Sequence, residues 1–166
     1  MSQEPREVLV FEVAGQRYGL AVADVQELLR AVALTPLPRA PDVVEGAINL
    51  RGRAVPVLDL RRRFGLPPKP PEPADHLVVA RAGGRLVALR VDRALDLARP
   101  AAEAVEDARA ALPGTRYVEQ VASFPDGLVL IHDLRTFLSA AEAAALDEAM
   151  PGADAPEKEG PGRDLV

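Results

Sequence analysis

Gly46-Ala-Ile-Asn-Leu-Arg-Gly-Arg-Ala-Val-Pro-Val-Leu-Asp-Leu60 consists of two short apolar runs joined by a polar turn. Ala47 to Leu50 can extend, Arg51-Gly52-Arg53 can reverse the chain, and Ala54 to Leu58 can extend back. Gly52 supplies the positive φ that tight reversals use. Pro56 has no N–H for a ladder, so its strand is expected to be an edge or to be bulged there. Asp59 stands where a carboxylate oxygen caps a helix starting at Leu60. The stretch holds no His, Cys or Ser and a single carboxylate. It reads as scaffold carrying an exposed arginine.

Composition supports that reading. With 166 residues, 48% hydrophobic and 27% charged, the chain fits one globular domain, or two small subdomains sharing a core. Aromatics are only 4% and Trp is missing, so Val, Leu, Ile and Ala must build the core. The net charge of −5 argues against a nucleic-acid binder, which presents a basic face. Zero Cys excludes a disulfide framework and thiol chemistry, and fits a reducing cytoplasm. The polar start Met1 to Glu7 has no signal-peptide character, and no run is long enough to span a bilayer. The expectation is a cytoplasmic protein.

Working outward, Val8 to Val13, the turn Ala14-Gly15 and Gln16 to Val22 predict a hairpin. Val22 to Arg30 can open as a helical turn and end as a strand, and Leu34 to Pro41, with three prolines, must be extended loop or edge. Leu60 to Phe64 is a short helix stopped by Gly65. Pro67 to Pro73 holds five prolines; this stiff connector, within about residues 66–75, is the expected internal boundary. The pattern then restarts, with a second hairpin from Leu77 to Ala82, Gly83-Gly84, and Arg85 to Val91. At an offset of 68 residues (77 − 9), Leu9, Val10, Ala14, Gly15, Arg17 and Asp24 match Leu77, Val78, Ala82, Gly83, Arg85 and Asp92. The ending Val57-Leu-Asp-Leu-Arg61 returns as Ile131-His-Asp-Leu-Arg135, an offset of 74 (131 − 57). Two segments recurring in one order predict two similar β subdomains. Pro100 to Ala111 is rich in Ala and acid, Leu112 to Thr115 is a turn, and strands follow at Val118 to Phe124 and Leu128 to Ile131. Ser139-Ala-Ala-Glu142 is a capping box opening a helix to about Met150. Residues 1–7 form an N-terminal tail, 8–150 the folded unit, and 151–166 a tail expected to be disordered.

No constellation supports catalysis, a cofactor or a metal. His76 and His132 flank strands without ligand-spaced companions and read as ordinary surface or strand-end histidines. Asp59 and Asp133 read as caps. Gly83-Gly84 lacks the lysine and following helix of a phosphate cradle. Arg61-Arg62-Arg63 reads as a solvated face that complements its helix C-terminus. Arg51 is read in two ways, as a fork for a partner's carboxylates or as half of an internal salt bridge to Glu45 or Glu27.

Asn49-Leu-Arg-Gly52, Pro56-Val-Leu-Asp-Leu60, Val91-Asp92 and Leu128-Val-Leu-Ile-His-Asp-Leu134 resemble the CheW-like family of chemotaxis coupling proteins, as do Tyr18-Gly19 and Val25-Gln-Glu-Leu28. The resemblance spans Val8 to Met150. It implies a mostly β fold of two packed SH3-like five-stranded β-barrels with short helices, no enzymatic activity and no cofactor. It further implies an adaptor between the regulatory domain of the histidine kinase CheA and the cytoplasmic tip of chemoreceptors, reaching the membrane only through receptor arrays. By motif, it carries receptor coupling to Val25 and Glu27, and receptor and kinase coupling to Gly46 and Arg51. By position, Val91 is expected to line an apolar groove between the barrels. His132-Asp133, the segment from Pro100 to Arg116, the proline connector and the tail depart from the family pattern. A scaffold of another chemosensory pathway, for gliding, pili or gene regulation, is the nearest rival reading. A small-molecule regulator using the inter-barrel cleft is the rival from another class.

Overall fold

A computed structural model describes residues 6–111 and 116–150 of the chain. The turn expected at Leu112 to Thr115, most of the N-terminal tail and the tail 151–166 lie outside the described residues.

The strands form two sheets. One contains β3 (Val25–Arg30), β4 (Val44–Leu50), β5 (Arg53–Asp59), β6 (His76–Ala82) and β7 (Arg85–Val91), in the order β3-β6-β7-β5-β4. The other contains β1 (Val8–Val13), β2 (Gln16–Ala21), β8 (Arg93–Ala98), β9 (Val105–Asp107), β10 (Val118–Phe124) and β11 (Gly127–His132), in the order β8-β1-β2-β11-β10-β9. Each sheet curls until one chain segment serves both its edges. After β3 the chain continues to Thr35, which exchanges two 2.8 Å hydrogen bonds with Ala47 of β4. Likewise β8, paired with β1, runs on into β9, paired with β10. Edge strands are thereby covered, as in barrels. The five strands expected per subdomain hold for the first barrel; the second has a sixth, the three-residue β9 in the Ala-rich segment.

The proline connector is not the boundary between subdomains. It joins β5 and the helix α1 (Leu60–Phe64) to β6, within the first barrel. The two repeats have exchanged their leading hairpins. β3 from the first repeat pairs with β6 of the second, and β8 of the second pairs with β1 of the first. Each exchanged hairpin is closed by a parallel pairing, β5 on β7 and β11 on β2.

This exchange explains why the hairpins lack polar alternation. In β6 and β7, Leu77, Val79, Leu86 and Ala88 fill the first barrel, while Val78, Ala80, Val87, Leu89 and Val91 face the core shared with the other barrel. In β1, Val8 and Val10 fill the second barrel, while Leu9, Phe11 and Val13 join the shared core. Strands buried on both faces read as continuous apolar runs. The helix α3 (Ala140–Ala149) closes one side of the shared core with Leu146.

Pro56 lies in an interior strand, which corrects the expectation of an edge. Its partner Ala47 spends its own N–H and C=O on Thr35, so Ala47 and Pro56 form a non-hydrogen-bonded pair. The missing donor of Pro56 therefore points to the β7 side, where the parallel ladder begins only at Val57. The bulge falls on the partner strand, between Val44 and Gly46.

The local signals fold as expected. Asp59 Oδ1 accepts from the Arg61 and Arg62 N–H groups at 3.0 and 3.3 Å, and Gly65 ends α1 at φ 72°. Asp133 caps the turn at Leu134–Thr136, and Ser139 and Glu142 complete the capping box of α3. A short helix α2 (Ala108–Ala111) follows β9.

Candidate protein-interaction surface

The loop joining β4 to β5 is a two-residue turn with both central residues in the left-handed region, Arg51 at φ 51° and Gly52 at φ 86°. Such turns match strand twist, but an arginine there is strained. Asn49 supports the turn by accepting the Gly52 N–H at 2.7 Å. The turn projects Arg51, with its side chain 67% exposed, into an ion pair with Glu27 of β3. Of the two internal partners considered, Glu27 is the one used. Glu45 instead meets Arg90 at 2.7 Å.

Glu27 and Val25 owe their placement to a bulge in β3 between Val25 and Glu27. In a regular strand, Val25 and Leu29 would share a face. The extra residue turns Val25 towards the shared core while Leu29 packs inside the first barrel. Leu28, 44% exposed, points to the opposite face of β3 from Glu27, and Val32, 54% exposed, follows the strand. The result is a surface ion pair between the β4–β5 turn and β3.

The other two site residues lie elsewhere. Gly46 is buried, and a Cβ there would stand 2.6 Å from the Thr35 carbonyl oxygen. It is the close-approach point that lets the chain after β3 lie on β4 and close the barrel. Gly46→Ala is expected to cost about 1–3 kcal/mol, as overpacking against backbone does, read as a lower urea midpoint; an unchanged midpoint would show that the closure is loose. Val91 is 1% exposed and sits in the shared core. Because it packs on both barrels, it cannot line an open groove, and any effect of its substitution acts through packing.

Buried arginines carry no sequence signal of their own, because arginine normally marks surface. Arg90 of β7, with a side chain 5% exposed, meets Glu45 at 2.7 Å, Asp75 at 3.2 Å and Asp59 at 3.7 Å, and donates to the Lys69 carbonyl at 3.0 Å. Burial pushes the Glu45 carboxyl above its usual pKa, against the opposing pull of Arg90. Arg61 is also buried, donating to Asp92 at 2.8 Å and the Pro67 carbonyl at 3.0 Å. Arg63 forks onto Glu142 at 2.8 and 2.7 Å and reaches the Phe137 carbonyl at 2.8 Å. That hydrogen bonding holds the Glu142 carboxyl down at about 2. Only Arg62 of the triplet is a solvated arginine. The triplet is therefore mostly a set of ties: Arg61 and Arg90 pin the proline connector, and Arg63 pins α3.

His132 ends β11, as the strand-end reading has it, but it is not a surface histidine. It is 4% exposed, stacked on Phe64 at 4.5 Å and 9°, and packed by Tyr18 and Phe137. Its Nδ1 lies 3.0 Å from the Tyr117 carbonyl, which requires the proton on Nδ1. Burial pulls its pKa down to about 4. His76 lies at a strand end as expected, its Nδ1 accepting the Ala94 N–H at 3.2 Å. Among the described residues, no group of His, Cys, Asp or Glu is arranged to hold a metal ion.

A family model described as CheW-like domain matches residues 7–142. The chain belongs to the CheW-like domain family. It is similar to the chemotaxis protein CheW of Klebsiella aerogenes, 28% identical over 144 residues that cover 86% of this chain and 87% of that one. It also resembles protein FrzA of Myxococcus xanthus, 36% identical over 94 residues covering 57% and 59% of the two chains. Among solved structures, the scaffolding protein TtCheW from Thermoanaerobacter tengcongensis superposes with a TM-score of 0.76 at 29% identity, over 84% of this chain and 96% of that one. The two-barrel fold is thus a CheW-like fold, and no helix among the described residues is long and apolar enough to cross a membrane.

Proposed function

We propose that the chain is a non-enzymatic adaptor that couples chemoreceptors to the histidine kinase CheA in a bacterial chemosensory array. The observation that carries this reading is the Arg51–Glu27 pair, held by a strained turn, in a chain of the CheW-like family. The fold does not need this pair. Exposed ion pairs contribute roughly 0–1 kcal/mol, yet the turn holds its arginine in a backbone region that disfavours a side chain. An arginine fork released from Glu27 can meet a partner carboxylate in two-pronged geometry. Val25 is a contact residue only through its exposed part. The protein would act in the cytoplasm, at the membrane only through receptors.

Arg51→Ala tests this directly. The melting temperature is expected to stay within a few degrees, while receptor-controlled autophosphorylation of CheA in receptor-containing membranes falls towards the level without the protein. Full kinase control by a folded Arg51→Ala variant would remove Arg51 from the interface. Val25→Asp is a poorer probe, because it places a charge against the shared core. The similarity to FrzA, a relative named apart from the CheW proteins, favours one second reading: the same adaptor role in a separate chemosensory pathway. The kinase that co-purifies with the chain from its own cells separates the two.

A further inference from the structure

Where the two barrels meet beside α1, a cavity of about 450 Å³ opens to solvent. That lies within the roughly 300–1,000 Å³ of small-ligand sites. Its wall is aromatic: Tyr18 and Phe64 lie 4.9 Å apart, Phe64 and His132 stack at 4.5 Å, and Tyr117 stands 6.3 Å from Phe64. Its charged lining residues are Arg62, Arg63 and Arg116, with no carboxylate among them. Arg63 is neutralised from behind by Glu142. Arg62 and Arg116 are exposed and have no carboxylate partner among the described residues; Arg116 lies over the Tyr117 ring at 5.4 Å. This is an uncompensated cationic mouth over stacked rings, in a chain whose net charge is −5.

We propose that this inter-barrel cavity is a binding site for a small planar aromatic anion, its ring against Phe64 and Tyr117 and its charge on Arg62 and Arg116. The physical case is complementarity on two counts. Flat rings offer faces and edges to another flat ring. A guanidinium pairs with a carboxylate or phosphate more strongly than with any neutral group, and more so where walls exclude water. The sites of Arg51 and Glu27 lie on other elements, so the adaptor reading neither requires this site nor supplies it. His132 Nε2 and Arg63 Nε are buried without hydrogen-bond partners behind the wall; neither is solvent-accessible, so the mouth and the rings carry the contact. The same chemistry is offered by an aromatic carboxylate and by a nucleotide, whose base and phosphate would take the two parts of the site.

The full chain is titrated with 2-naphthoate, AMP, naphthalene-2-carboxamide and inorganic phosphate, followed by calorimetry and by NMR of the aromatic and histidine ring protons. The expected result is saturable binding of 2-naphthoate, AMP or both, with shifts at Phe64, Tyr117 and His132. Binding should weaken about tenfold for each charge-assisted contact removed in Arg62→Ala and Arg116→Ala, with the melting temperature unchanged. AMP competing with 2-naphthoate would assign the site to nucleotides; 2-naphthoate alone would assign it to aromatic carboxylates. Equal affinity for the carboxamide, phosphate binding as well as 2-naphthoate, shifts confined to other residues, or no saturable binding would each overturn the proposal. Kinase coupling is read separately with Arg51→Ala, so failure here leaves the adaptor reading standing, and the reverse.

Discussion

Arg90→Leu is expected to destabilise the fold by about 3–5 kcal/mol, the cost of breaking a buried ion network by removing one partner. Asp75 is 2% exposed and Glu45 and Asp59 converge on the same guanidinium, so the substitution leaves three carboxylates facing one another without their cation. It also frees the Lys69 carbonyl, and with it one of the two arginine ties on the proline connector. The loss should be largest near neutral pH and smaller in mild acid. The Glu45 carboxyl already sits above its usual pKa, and removing Arg90 removes what holds it down, so protonation relieves the repulsion. Arg90→Lys keeps the charge but not the fork, and should fall between. Urea unfolding at two pH values measures all three. A loss below about 1 kcal/mol for Arg90→Leu would mean that the carboxylates turn out to solvent and that the network is not closed.

The second large effect is acid sensitivity from His132. Its pKa of about 4 in the folded protein compares with an ordinary 6.5, and the ring is sealed among Tyr18, Phe64 and Phe137. Between those two values the unfolded chain binds a proton that the folded chain refuses. Stability therefore falls as pH drops from about 6.5 and the decline from this group levels off near 4; the full difference is about 3 kcal/mol. Glu142, held down at about 2, loses its contribution only below its ordinary 4.5, so the two windows barely overlap. His132→Phe preserves the stacked ring and removes the titration. Between pH 6.5 and 4.5 its unfolding free energy should lack the decline that His132 gives the parent, about 2 kcal/mol over that window, and keep the opposite drift from Glu45, whose raised pKa favours the folded state as pH falls. Equal slopes in both proteins would place the acid sensitivity on another group. The experiment matters for function because α1 and β11, which His132 and Phe64 clamp together, come from different barrels.

Much of this protein was determined by short stretches of sequence acting alone. The hairpin turns at Ala14-Gly15, Arg51-Gly52 and Gly83-Gly84, the caps Asp59, Asp133 and Ser139, and the stop at Gly65 depend on residues within a few positions of one another. Backbone sterics and side-chain caps act at that range, so they can be read directly. The internal repeat was legible for the same reason. Tertiary structure decided which hairpin joins which barrel, because strand periodicity states that a residue is buried and not against what. It also decided that Val91 is core, that Gly46 is a closure point, and that Arg61, Arg63 and Arg90 lie inside. Each of those arginines finds its carboxylate between 15 and 79 positions away, Arg90 with Asp75 at 15 and Arg63 with Glu142 at 79. An arginine is a surface residue until a distant chain segment brings it a carboxylate, and only the folded chain makes that introduction.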